Sequence, residues 1–172
     1  MSSFIDRLSK MVVTTKSPDG TVTARADRTG TAVALTPDTM TRHGEDSLAE
    51  QVATAISAAY SGAARGADIL MEKEYGRPRT KPDTAVAEAR RRFETAQADL
   101  NATAQYGRAT VTRRGTTEIT VTLRPRTVGY IDPERISADI NEAVAAAELG
   151  LVKAVLRLRK DMFTREGADN DR

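Results

Sequence analysis

His43 is the one imidazole in this 172-residue chain, and it stands in the polar run Thr41-Arg42-His43-Gly44-Glu45-Asp46. An imidazole beside two carboxylates suggests a general base or a metal ligand. A base needs an orienting partner and a pocket, and no Ser-His-Asp arrangement is visible in the sequence. One His with two adjacent acids makes a thin shell for zinc. The expectation is therefore a solvated loop histidine, with Glu45 and Asp46 meeting the positive end of the helix that follows. The chain contains no cysteine, which removes thiolate chemistry and disulfides and is compatible with the cytosol. It has no Gly-x-Gly-x-x-Gly and no Walker-type Gly-Lys-Ser/Thr, so a nucleotide cradle is not expected. These absences predict a protein that is not an enzyme, with no cofactor and no metal.

Arginine is the richer lead. Arg90, Arg91 and Arg92 are consecutive on a helix and sweep about 200° of its circumference at about 100° per residue. They can meet phosphates or simply form a solvated face. Arg113-Arg114 falls at a hairpin turn, and Arg124 and Arg126 flank Pro125 at the next corner. If those corners adjoin, they form a four-arginine edge. Arg77, Arg79 and Lys81 alternate with Pro78 and Pro82 in a linker, which can follow a phosphate backbone or act as a soluble tether. Arg157, Arg159 and Lys160 near a helix C-terminus have a sufficient reason in the helix dipole. Only 4% of the residues are aromatic and none is Trp, so base stacking is not expected. Binding of duplex DNA would be phosphate-dominated, salt-sensitive and weakly specific. The balance of 26 basic against 24 acidic residues, net +2, permits that partner without demanding it.

These side chains need a scaffold, and the chain spells one twice. The first copy is a short helix over residues 2–10 and a β-rich Val12-Val13-Thr14-Thr15. The turn Ser17-Pro18-Asp19-Gly20 and alternating strands over 21–27 and 32–35 follow. A long helix then runs to about Glu74, with Ser47 as N-cap and Glu50 completing a capping box. The linker 76–83 separates this unit, residues 1–75, from the second, residues 84–163. That unit opens on a helix over 84–104 with Val86, Phe93 and Leu100 at heptad spacing. Its strands are expected at 108–113, 117–123 and 128–131, before a final helix from Pro133 and a polar tail over 164–172. The corner Leu35-Thr36-Pro37-Asp38 matches Ile131-Asp132-Pro133-Glu134, 133 − 37 = 96 residues on, whereas Leu48 matches Ile136 at 136 − 48 = 88. The difference implies an eight-residue insertion around residues 41–46. The fold class is α+β, two tandem helix–three-stranded antiparallel meander–long helix units with pseudo-twofold symmetry.

The final helix is apolar on two sides. Ile136, Ile140, Val144, Ala147, Leu151, Val155, Leu158 and Met162 form one stripe, and Leu149, Val152, Leu156 and Phe163 a second. The second stripe needs a covering partner, either another copy of the chain or a different protein. No apolar run approaches the roughly 18 residues of a membrane span, and the first residues do not read as a secretory signal.

The phrases Asp19-Gly20-Thr21-Val22-Thr23 and Leu35-Thr36-Pro37-Asp38, the alanine-rich helix from Leu48 to Ile56, and Ile131-Asp132-Pro133-Glu134 with Ile136 and Ala143-Val144 resemble the YbaB/EbfC family. The resemblance implies a cytoplasmic, nucleoid-associated bacterial protein that dimerises and binds DNA with little sequence preference. Arg90, Arg91, Arg92, Arg113, Arg114, Arg124 and Arg126 are the residues expected to do so. Family members usually carry one copy per chain, so two copies resemble a dimer made covalent. Similar domains also occur in actinobacterial proteins linked to type VII secretion. There a protein-interaction role, with Leu149, Val152, Leu156 and Phe163 as the interface, is the alternative.

Overall fold

The computed structural model describes residues 4–76 and 84–169, with side chains except at Ala85 and residues 163–169. The linker segment 77–83, including Arg77, Arg79 and Lys81, lies outside the described residues, as do residues 170–172 of the tail. The elements in order are α1 (Phe4–Ser9), β1 (Val13–Lys16), β2 (Val22–Asp27), β3 (Gly30–Leu35), α2 (Thr39–Arg42), α3 (Glu45–Tyr75), α4 (Thr84–Ala98), β4 (Asn101–Tyr106), β5 (Ala109–Arg114), β6 (Glu118–Leu123) and α5 (Pro133–Asp169). The class is α+β, with two antiparallel sheets ordered β1-β2-β3 and β4-β5-β6.

The first unit folds as its turns and alternation dictate. Val22, Ala24 and Ala26 point inward from β2, and Leu48, Val52, Ile56 and Ala59 from α3 cover them. The helix starts earlier than its capping box predicts. Gly44 is the N-cap in extended backbone, and no side chain caps the helix. Ser47 already lies within the first turn.

The second meander sits upstream of its expected place. The leading helix stops at Ala98 rather than running to 104, and residues 101–106 form β4. Residues 128–131 are not a strand. They form a turn in which the Ile131 N–H donates to the Thr127 carbonyl at 3.1 Å. The Leu35-Thr36-Pro37-Asp38 corner therefore has its counterpart at Leu123-Arg124-Pro125-Arg126, directly after β6, and 125 − 37 = 88. That is the Leu48–Ile136 spacing, so the expected insertion at 41–46 does not exist. Thr39 and Thr127, also 88 apart, are both fully buried.

The two units interlock. α3 lies on β1 and β2 of its own sheet and on β6 of the other, while α5 lies on β4 and β5 and reaches across to β3. One buried apolar cluster includes residues of both units. Polar bonds cross the seam as well. The Asn141 side chain on α5 accepts from the Val33 N–H at 2.7 Å and donates to the Val33 carbonyl at 3.1 Å. It thereby closes part of the open edge of β3, a site that would otherwise present unpaired backbone. Glu45 accepts from the Thr127 N–H at 3.0 Å. Further N–H bonds from its own backbone, Val128 and Arg126 help hold its carboxyl below the usual range.

Beyond Ala59 on α3 and Leu151 on α5 neither long helix has a fully buried side chain among the described residues. These outer halves carry the leading helices, α1 on α3 and α4 on α5. Close approach at their bases depends on two glycines. A Cβ on Gly62 would sit 2.8 Å from Val13, and one on Gly150 would sit 3.0 Å from the Ala102 Cβ.

Candidate functional site

The structure separates the predicted arginines. Arg113 points inward from β5, where β2 has Ala26, and is buried. Its guanidinium stacks on the Tyr60 ring, 3.7 Å from the centroid, and donates to the Thr116 carbonyl at 2.9 Å. The Tyr60 hydroxyl donates to Glu148 at 2.6 Å. Burial first, and then the Glu148 charge, pushes the Tyr60 phenol upward from its usual value. Arg113 thus works inside the crossing of α3 and α5 and offers nothing to a phosphate. Arg114 is exposed and 3.4 Å from Asp99. Arg124 and Arg126 are exposed at the far end of β6, because Arg114 pairs with Glu118 and Ala109 with Leu123. Six residues of strand put about 17 Å between the two corners, so the four-arginine edge does not form. At its own corner Arg126 has φ of 62°, and Arg108 donates to the Pro125 and Arg126 carbonyls at 3.2 and 3.4 Å. Arg90, Arg91 and Arg92 are exposed on α4. Arg90 pairs with Glu94 at 2.7 Å and Arg92 with Glu88 at 3.7 Å, each one turn away.

The apolar candidates do come together. Leu149, Val152 and Leu156 are 55%, 55% and 59% exposed on one face of α5. Their i, i+3, i+7 spacing makes a continuous stripe. The side chain of Phe163, expected to extend it, lies outside the described residues. Beside the stripe runs a groove of about 610 Å³ between the outer half of α5 and α4. Val86, Ala89 and Phe93 form one wall, Val155, Leu156 and Met162 the other, and Arg90 and Arg159 stand among them. The heptad spacing on α4 was the legible signal for one wall, and the second stripe of α5 for the other.

His43 is not the solvated loop residue its neighbours suggest. Its side chain is only 8% exposed. Nε2 lies 2.6 Å from Asp19 and Nδ1 lies 2.8 Å from the Ser47 hydroxyl. Asp19 also accepts from the Ser17 and Thr21 hydroxyls at 2.7 and 2.9 Å and from the Thr21 N–H at 3.1 Å. Burial raises the Asp19 carboxyl, but these hydrogen bonds outweigh it and hold the group well below the ordinary carboxylate range. A Ser-His-Asp contact chain therefore exists in space. Sequence reasoning missed it because residues 19, 43 and 47 meet only once α2 folds back over the β1–β2 turn. Glu45 and Asp46 share the first turn of α3 with Ser47. The polar atoms of the cluster pin the β1–β2 turn to the start of α3.

Among the described residues no group of three or more His, Asp or Glu is placed to hold a metal, and no helix is long and apolar enough to cross a membrane. No family model, curated protein or solved structure matches the chain.

Proposed function

We propose that this chain is a non-enzymatic protein-association module. Its docking surface is the outer half of α5 with the groove that α4 makes beside it. One observation carries the reading: Leu149, Val152 and Leu156 each expose more than half of their surface on a single helical face continuous with an apolar trough. Burying side chains of this size is worth about 1.5–3 kcal/mol each, and contiguous exposed apolar surface marks interaction sites. The reading fits an accessory factor, the role open to YbaB/EbfC-like domains in proteins linked to type VII secretion. The test is a photo-crosslinking amino acid placed at Val152 or Leu156 in cells that make the protein, with Thr122 on β6 as the control position. Protein adducts at the first two sites and none at the third are expected. Equal or absent adducts at all three would sink the reading.

A second reading, nucleoid association through duplex DNA, is favoured by the exposed run Arg90, Arg91 and Arg92 and by the interlocked, pseudo-twofold pair of units. Such a pair is what a YbaB/EbfC-like homodimer made covalent would look like. It predicts binding to a random duplex that falls steeply with salt. Undiminished affinity after reversing all three charges would remove α4 from that role.

A further inference from the structure

We infer that the α4–α5 groove takes an amphipathic helix whose apolar ridge is flanked by acidic residues. The inference rests on the protein-association reading and names the chemistry of the partner. Charge identifies the occupant. Residues 84–98 and 149–161 carry Arg90, Arg91, Arg92, Lys153, Arg157, Arg159 and Lys160 against Glu88, Glu94 and Asp161. That is 7 − 3 = +4, in a chain whose total is +2. The arm is therefore basic while the rest of the molecule is net acidic.

Shape narrows the choice further. Two packed helices leave a trough with apolar walls from Val86 and Phe93 on one side and Val155 and Met162 on the other. A third helix laid in such a trough buries a ridge of residues at i, i+3/i+4 and i+7, the helix-in-groove mode of recognition. A second copy of the same arm would bring +4 against +4. A phosphate backbone has no apolar ridge to fill the trough, and a bilayer is too flat to enter it. α4 is 15 residues long, so it can line about 22 Å of a bound helix, or roughly four turns.

Two labelled peptides of about 15 residues, sharing one Leu/Phe ridge and flanked by Glu in one and by Lys in the other, test this by fluorescence anisotropy on the full chain. The Glu peptide is expected to bind at least about tenfold more tightly at low salt and to lose most of that advantage at high salt. Surface ion pairs are individually weak, so the ratio requires several acting together. The double variant Arg90→Glu with Arg159→Glu changes two exposed side chains, takes the arm from +4 to 4 − 4 = 0 and should abolish the preference. Phe93→Asp should remove binding of both peptides. Equal affinities, or no binding of either peptide, would overturn the inference, and so would displacement of the Glu peptide by duplex DNA or anionic vesicles. A solution mass that doubles and halves again with Phe93→Asp would identify a second copy as the occupant and overturn it too. Protein adducts from Val152 and Leu156 in cells, with the peptides failing, would leave the association reading standing without this partner. Failure of both would end the two together.

Discussion

Asn141→Ala tests whether the two units are energetically one body. The Asn141 amide is bonded to both the N–H and the carbonyl of Val33, in the other unit, at 2.7 and 3.1 Å. A net contribution of about 0.5–1.5 kcal/mol per bond gives about 1–3 kcal/mol for the pair. Val33 is only 4% exposed, so water cannot fully replace the lost partners, and the upper half of that range is expected. With a urea dependence of about 2 kcal/mol per molar, the midpoint of chemical unfolding should fall by about 1 M. The transition should stay single and its slope unchanged. Asn141→Leu fills similar volume without the bonds and should be no more stable than the Ala variant, which separates hydrogen bonding from packing. An unchanged midpoint would refute the reasoning. So would two transitions of which only the second-unit one moves, since the units would then unfold independently.

The His43 clasp predicts a pH dependence. Because the folded Asp19 carboxyl is held below its unfolded value of about 3.9, its stabilisation is full above about pH 4 and is lost as the pH falls through the folded value. The stability gap between the parent chain and Asp19→Ala, followed by urea unfolding, should therefore shrink as the pH falls below about 4. A gap that persists to the lowest pH would exclude a charged carboxylate as its source. Gly62→Leu should cost about 1–3 kcal/mol by forcing Val13 off α3, and Val13→Ala should recover much of it; failure of that rescue would place the strain elsewhere. Arg113→Met should lower thermal stability by removing the stack on Tyr60 while leaving duplex affinity unchanged in anisotropy. Loss of duplex binding in a folded Arg113→Met variant would contradict its buried placement.

The first unit was legible because its punctuation is strong. Ser17-Pro18-Asp19-Gly20 and the Arg28-Thr29-Gly30 turn bracket a strand with clean alternation of Val22, Ala24 and Ala26. The second unit was read out of register for a physical reason. β4, Asn101-Ala102-Thr103-Ala104-Gln105-Tyr106, is an edge strand with no branched apolar residue. Its inward positions are the alanines Ala102 and Ala104, so it reads as more of the alanine-rich helix before it. Its one signal is Gly107, at φ of 51°, where a Cβ would run into the Asp139 carboxylate and force it to move. The corner was mismatched because the structural counterpart has Arg126 where the first unit has Asp38. An acidic residue after proline occurs instead at Pro133-Glu134, where it only opens a helix.

The polar seam was beyond sequence reasoning because it breaks the repeat that guides such reasoning. Apolar positions 88 apart agree in kind: Leu48 with Ile136, Val52 with Ile140, Ile56 with Val144, Ala59 with Ala147. Polar ones at the crossing do not. Tyr60 and Glu148 are themselves 148 − 60 = 88 apart, and they bond to each other. In a homodimer of either unit the same position would face itself, as Tyr against Tyr or as two carboxylates, and the second of these is repulsive. Asn141 likewise has Ala53 as its counterpart, so the edge-closing bond to Val33 exists once, on one side only. A donor–acceptor pair at self-facing positions can be built only when the two copies are free to differ, which joining them in one chain allows. The outer arms differ as well, with a six-residue α1 on one and a fifteen-residue, arginine-rich α4 on the other. Among the described residues the basic apolar groove lies on the α4–α5 arm, so the proposed partner helix would bind once per chain.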